Sequence, residues 1–153
     1  MRKKGNTAID LDDTDLCFWV NVNTGEKTKY TEGAGPEWLE NNKFRANVKG
    51  LQKLLEKFTA EKNVYIGGKI ATTQLKEVFV LFDKVFLLRP SDNVLVYRQS
   101  TRTNKGNKFA KNKEEQEHLL KKRKGFEDAC LTEGAILIDA NKSVQEILKE
   151  VAI

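Results

Sequence analysis

Four short apolar segments, separated by stretches of helical pattern, are the feature that most constrains the fold of this chain. They are TAIDL (7–11), NVYIGG (63–68), KVFLL (84–88) and AILID (135–139). Apolar spacing and helix caps predict helices over 48–58, 71–82, 91–102, 114–134 and 143–151. This alternation is typical of an α/β domain with a parallel sheet, and KVFLL reads as a strand buried on both faces. At 153 residues, one domain spanning 1–153 is expected.

The segment 14–45 interrupts this pattern between the first strand and the first helix. Within it, FWVNVNTGEKTKY (18–30) alternates in polarity around Asn23-Thr24-Gly25, which predicts a hairpin. A loop is predicted over 31–38. Trp19 and Trp38 are either packing residues of this small subdomain or platforms for a substrate.

The charge balance favours an anionic partner. Lys and Arg number 27 against 22 Asp and Glu, so the formal net charge is +5, which suits a nucleotide, a phosphate or a nucleic acid. Cys17, Cys130 and a single histidine, His118, argue against a zinc site, a disulfide framework and a Ser-His or Cys-His pair. His118 is expected to be a surface or helix-flank residue. No signal sequence or long apolar run is visible, so a cytoplasmic protein is expected.

A cluster of carboxylates follows the first predicted strand. Asp10, Asp12, Asp13 and Asp15 lie within six residues. On an extended backbone, Asp10 and Asp12 would point the same way and could hold Mg²⁺ through water or accept a proton from a hydroxyl group. An acidic loop with Asp13 or Thr14 as a helix cap explains the same pattern, and both interpretations stay open.

Three further patterns have both a functional and a structural interpretation. Arg98 and Arg102 share a helix face, and ten cations against three acids lie between Arg98 and Lys124, as in a phosphate site or a solvated basic helix. Gly67 and Gly68 permit either close approach of a ligand or a tight turn. The loop that begins IDANK, after the last strand, is a place where a base could stack.

Taken in order, these segments resemble the small P-loop kinases: shikimate kinase, the adenylate and thymidylate kinases, and related AAA-type ATPases. The most specific match is LFDKVFLLRPSDNVLVYRQSTRTNKGNKFAK (81–111), and GAILIDANKSVQEIL, IDLDD, YIGG and FWVNVNTGEKTKY are similar to further family segments. The resemblance implies a three-layer P-loop NTPase-like parallel sheet in the order 2-3-1-4-5. Helices cover both faces, and a basic lid lies at 103–113. The family's Phe-Gly-Lys in the lid reads Phe109-Ala110-Lys111 here.

The same resemblance implies ATP and Mg²⁺ as cofactors and assigns roles to residues. Asp10 would serve the metal and Asp12 the acceptor hydroxyl. Gly67 and Gly68 would lie on the side of the small-molecule acceptor, to which 14–45 also contributes. The residues implied for the nucleotide and its phosphates are Arg98, Arg102, Lys111, Asp139, Ala140 and Asn141.

One family motif is absent from the sequence. No G-x-x-x-x-G-K-[ST] occurs among the ten glycines. The family carries it after its first, central strand, so the chain is expected to begin after that strand and to leave a gap between NVYIG and KVFLL. The expected function is an ATP-dependent small-molecule kinase without its phosphate loop. The alternatives are a non-catalytic remnant that binds a nucleotide or a partner, and a basic nucleic-acid-binding module that uses 98–124.

Overall fold

A computed structural model describes residues 6–58, 63–101 and 109–151. The strands are β1 Thr7–Asp10, β2 Cys17–Asn21, β3 Lys27–Thr28, β4 Asn42–Ala46, β5 Val64–Gly67, β6 Phe86–Arg89 and β7 Ile136–Asp139. The helices are α1 Gly35–Asn41, α2 Val48–Glu56, α3 Leu75–Phe79, α4 Asp92–Ser100, α5 Lys113–Thr132 and α6 Val144–Val151. The chain forms two compact units: unit 1 is Met1–Lys29 with Asn41–Leu81, and unit 2 is Tyr30–Glu40 with Phe82–Ile153.

Unit 1 contains a parallel pair and an antiparallel sheet. β1 pairs with β5 so that Thr7 lies opposite Val64 and Asp10 opposite Gly67. The other sheet has the order β3-β2-β4. Its β2–β3 hairpin confirms the predicted turn, in which Gly25 adopts a φ of 75°. This conformation is readily available to glycine.

The unit 1 core is built on the apolar stripe of α2. Leu51 is fully buried, and Leu75 and Val78 of α3 are nearly so. Asn47 caps α2 by accepting a hydrogen bond from the Gly50 amide at 3.0 Å, which is the usual role of asparagine at this position. The predicted helix over 48–58 is therefore confirmed in type and position. The one predicted over 71–82 is shorter, since a 3₁₀ turn at Thr72–Gln74 precedes α3.

Unit 2 is built on the parallel pair β6–β7, in which Phe86 lies opposite Ile136 and Arg89 opposite Asp139. The predicted capping box of α6 is confirmed. Ser143 Oγ accepts from the Glu146 amide at 3.3 Å, and Glu146 Oε2 accepts from the Ser143 amide at 2.9 Å. The α4, α5 and α6 helices lie close to their predicted positions.

Several expectations about burial and loops are wrong. KVFLL is not buried on both faces, because Leu88 is 53% exposed and its neighbours in β7, Ile136 and Leu137, are 45% and 44% exposed. Val144 of α6 is 71% exposed, so the apolar face of that helix is not buried at its start. The predicted loop over 31–38 contains the beginning of α1.

The class predicted from the sequence holds at the coarse level: the fold is mixed α/β with small parallel sheets and helices. Among the described strands, β1–β5 and β6–β7 belong to separate sheets. The three-layer sheet stays a prediction. No helix in the described part of the chain has the length and apolar character needed to cross a membrane.

Candidate functional site

A cleft of about 210 Å³ lies in unit 2 at the carboxyl ends of β6 and β7. Its lining consists of Arg89, Pro90, Ser91, Leu137, Asp139 and Asn141. Ligands of parallel α/β sheets bind at this edge, where the turns that leave the strands converge. The volume is below the usual range of about 300–1,000 Å³ for a small-molecule pocket, so the cleft suits part of a ligand, such as one ring system.

Hydrogen bonds between two turns shape the cleft. Asp139 Oδ1 accepts from the backbone amide of Asn141 at 2.9 Å and from its side-chain amide at 2.8 Å. Asn141 Oδ1 in turn accepts from the Ser91 amide at 2.8 Å, and the buried Ala140 donates its amide to the Arg89 carbonyl at 3.0 Å. The end of β7 and the start of α4 are thereby held together.

An ion-pair network supports the wall of the cleft. Arg123 of α5 donates to Asp92 at 2.6 Å, to Glu127 at 2.5 Å and to the Pro90 carbonyl. The Arg123 and Glu127 side chains are only 15% and 13% exposed. Arg89 Nε lies 2.8 Å from Glu127 Oε2, but no hydrogen bond forms at this buried atom, so the contact is an ion pair by distance alone.

Only part of this site was predictable from the sequence. Asp139 and Asn141, which the resemblance assigns to the nucleotide, line the cleft, and Ala140 between them is buried. The other lining residues were not predicted; they are Arg89, Pro90, Ser91 and Leu137. A sequence signal for Arg89 did exist, since it directly follows the predicted strand KVFLL (84–88) and precedes Pro90.

Arg98 and Lys111, two further residues predicted for phosphate binding, are not among the described residues that line the cleft. Arg98 is exposed on α4, six residues after Asp92, which is about 9 Å along the helix axis. Lys111 is partly exposed just before α5. Arg102 and most of the predicted lid at 103–113 lie outside the described residues.

The end of the predicted lid is anchored by a buried carboxylate. Glu115 is fully buried and accepts hydrogen bonds from the Tyr30 hydroxyl at 2.9 Å, the Gly35 amide at 3.0 Å and the Ala110 amide at 3.2 Å. Burial and the hydrogen bond to Glu115 raise the pKa of Tyr30 to about 12. Gln116 donates to the Ala110 carbonyl at 3.0 Å. The backbone at Ala110 is therefore fixed on both sides.

The acidic cluster lies in unit 1, at the carboxyl end of β1. Asp10 Oδ1 accepts from the Asp12 amide at 3.0 Å and caps a 3₁₀ turn over Leu11–Asp13. The prediction that an extended backbone points both carboxylates the same way is wrong, because the strand ends at Asp10. Burial raises the pKa of the Cys17 thiol to about 11, and the charges of Asp12 and Asp10 add to this effect.

The two glycines predicted on the acceptor side differ in their surroundings. A Cβ at Gly68 would lie 2.9 Å from the Leu11 Cβ, so this glycine is needed for packing. A Cβ at Gly67 would meet nothing within 4 Å. Gly67 lies opposite Asp10 in the parallel pair, so the structure brings these two predicted residues together.

A metal site at the carboxyl ends of β1 and β5 would have to be exposed to solvent and completed by water. Within the described ranges, no group of three or more His, Cys, Asp or Glu side chains could enclose an ion. Mg²⁺ commonly uses one or two carboxylates together with waters and substrate phosphates. The exposed Asp10 and Asp12 fit that water-mediated arrangement.

Several basic residues of α5 lie close to glutamates of unit 2. Lys122 of α5 lies 3.0 Å from Glu40, and Lys113 lies 3.7 Å from Glu117. The His118 side chain on α5 is 13% exposed and lies 3.8 Å from Glu40, so of the two expected positions the helix flank fits and the open surface does not.

Both tryptophans make aromatic contacts. The Trp38 ring packs edge-on against Tyr30, with centroids 5.5 Å apart. In unit 1, Trp19 packs against Phe44 at 5.3 Å. These contacts favour the packing interpretation over a role as substrate platforms.

No family model, curated protein or solved structure matches this chain.

Proposed function

We propose that this chain is an ATP-binding protein of the small-molecule phosphotransferase type, whose unit 2 holds the adenosine part of the nucleotide. One observation carries the proposal. The cleft at the carboxyl ends of β6 and β7 is lined by Asp139 and Asn141, two of the residues that the family resemblance assigns to the nucleotide. Its small volume suits a purine ring.

The strand pairing supports the same proposal. In the sheet order 2-3-1-4-5, the second strand pairs with the third and the fourth with the fifth. The parallel pairs β1–β5 and β6–β7 are the corresponding pairs in this chain. The three-layer arrangement that would join them is part of the proposal.

The chain's own residues then take separate roles. Asp139 and Asn141 position the base, with Leu137 as an apolar contact. By the family resemblance, Arg98, Arg102 and Lys111 are the cations for the phosphates, where they would stabilise charge on the transferred group. Asp12 would accept the proton of the acceptor hydroxyl. Mg²⁺ held through water by Asp10 would neutralise phosphate charge.

Binding by this sequence should be weak. Without G-x-x-x-x-G-K-[ST], no phosphate loop contributes its backbone amides. We therefore expect ATP and adenosine both to bind weakly, with about millimolar affinity, ATP being the tighter of the two because of its phosphate contacts, and we expect ATP not to be hydrolysed.

The experiment is a titration of the isotope-labelled full chain with ATP and Mg²⁺, followed by amide chemical shifts. Shift changes are expected at Arg89, Ser91 and residues 137–141. Leu137→Asp places a charge in the cleft and should abolish them. Leu88→Asp is the matched control, because Leu88 is also exposed in the β6–β7 pair and does not line the cleft.

The proposal fails if saturating ATP leaves these amides unchanged in the wild type. It also fails if Leu137→Asp binds as the wild type does. Shifts that appear with ATP but not with adenosine would move the nucleotide contact from the base to the phosphates, and would reject the adenosine assignment of the cleft.

A further inference from the structure

One face of the antiparallel sheet in unit 1 carries three cations around an aromatic ring. Arg45 lies opposite Phe18, and Lys43 and Lys27 lie on either side of Val20. Alternation along the strands places these five side chains on the same face, here called the Phe18 face. Val20 on this face is buried, as are Cys17 and Ala46 on the opposite face, while Lys27 and Arg45 are exposed.

The positive charge continues along the chain into α2. Residues 42–57 hold five cations and a single acid, Glu56. Lys49, Lys53 and Lys57 are all exposed and recur every four residues, on the side of α2 opposite the buried Leu51. A local net charge of +4 follows, which is most of the +5 of the whole chain.

Little of this charge is neutralised within the protein. Among the described residues, Arg45, Lys49, Lys53 and Lys57 have no ion-pair partner. In α5, by contrast, Lys113, Lys122 and Arg123 are paired with acids. An unneutralised basic surface attracts anionic partners.

The aromatic ring identifies the kind of anion. Phe18 is partly exposed, and the Lys27 ammonium lies 4.0 Å from its ring centroid. Cations that contact phosphates, arranged around an aromatic ring that can stack on a base, are how sheet surfaces bind single-stranded nucleic acid. A membrane surface is less suited, because the apolar side of α2 is packed inside, with Leu51 fully buried.

We propose that the Phe18 face binds single-stranded nucleic acid through its phosphates and one stacked base, and that the nearby lysines of α2 add to the long-range attraction. This site is independent of the nucleotide cleft of unit 2. It also differs from the 98–124 segment to which the sequence drew attention.

The test measures fluorescence anisotropy of a labelled oligothymidine with the full chain in the absence of ATP. Binding should weaken as salt rises from about 50 to about 200 mM, with a slope of about 0.7 per phosphate contact. Lys27→Ala/Arg45→Ala should weaken binding about tenfold or more at low salt and should reduce the slope by about 1.4.

Two further variants separate the site from bulk charge. Lys121→Ala/Lys124→Ala removes the same charge from exposed positions of α5 and should change affinity less than threefold. Phe18→Leu keeps an apolar side chain but removes the ring. It should weaken binding about tenfold and leave the salt slope unchanged, as loss of stacking predicts.

Three outcomes would overturn the proposal. The first is no anisotropy change with the wild type at low salt. The second is an equal loss in the α5 control, which would mean attraction by net charge alone. The third is binding to phosphatidylserine vesicles without binding to the oligonucleotide. Thermal unfolding of each variant, followed by circular dichroism, verifies that it is folded.

Discussion

The thiol of Cys17 is an instance of a single residue whose chemistry is set by its surroundings. It is 9% exposed, and its pKa is raised from 9.0 to about 11, chiefly by burial and then by the charges of Asp12 and Asp10. Only the thiolate is a strong nucleophile. We therefore expect Cys17 of the folded protein to be unreactive at neutral pH.

The raised pKa of Cys17 makes the free energy of unfolding depend on pH in the alkaline range. Between pH 9 and 11, Cys17 is protonated when folded and deprotonated when unfolded, so stability falls as pH rises through this window. Cys17→Ala should remove roughly 2 kcal/mol of that fall. Urea unfolding across the window measures it, and Tyr30 contributes equally to both proteins.

Asp12→Asn supplies the companion variant. It removes one of the charges that raise the Cys17 pKa, and should flatten the fall by a smaller amount, because burial is the larger cause. Equal slopes for the wild type and Cys17→Ala would contradict the pKa assigned to this thiol.

At the scale of elements, the segment that leads into α5 contains a strained position. Ala110 adopts a φ of 57°, a region that costs a residue with a side chain about 1 kcal/mol. Its amide and carbonyl are bonded to Glu115 and Gln116, so the backbone cannot relax.

Ala110→Gly should therefore stabilise the protein by about 0.5–1 kcal/mol, even though a buried methyl group is lost. Ala129→Gly is the matched control. It makes the same change inside α5 and should destabilise by about 1 kcal/mol. Chemical unfolding of both variants measures the two effects, and destabilisation by Ala110→Gly would show that the lost methyl contact outweighs the strain.

Elements with a local signal were predictable, and those made by tertiary contacts were not. The apolar stripe of α2 and the capping box of α6 depend only on residues that are close together in the sequence. Strand β4, Asn42–Ala46, was missed because its alternation rests on only two apolar residues, Phe44 and Ala46, and the strand forms by pairing with β2. In the sequence, Glu115 cannot be distinguished from the other charged residues of α5. Its burial depends on contacts with segments 80 or more residues away.

At the scale of the whole molecule, the candidate site was predictable where chain order and strand polarity decide it. Asp139 and Asn141 lie at the cleft because they end a parallel strand. Arg123 and Glu127 support that cleft from the middle of α5, and no spacing in the sequence connects them to it. The solvent exposure of β6 and β7 could not be predicted from the sequence either, because the apolar composition of these strands predicts burial.

The exposed apolar residues of the β6–β7 pair should affect dye binding and aggregation. Parallel strands are normally covered on both faces, and a two-stranded sheet is marginal by itself. Leu88 and Ile136 lie on the same face of β6–β7 and are 53% and 45% exposed. Ile138, which lies opposite Leu88 on that face, is buried, so the exposed apolar area is limited to part of the face. Exposed apolar area on a sheet face favours binding of hydrophobic dyes and aggregation.

We expect the full chain to bind anilinonaphthalene sulfonate under native conditions and to aggregate on heating. Leu88→Thr/Ile136→Thr should remove most of the dye fluorescence while leaving the far-ultraviolet circular dichroism unchanged, because threonine suits a strand. Val22→Thr/Val80→Thr removes two other exposed side chains, 52% and 75% exposed, and should retain the dye signal. Equal losses in the two double variants would mean that the dye reports scattered apolar residues rather than the parallel pair.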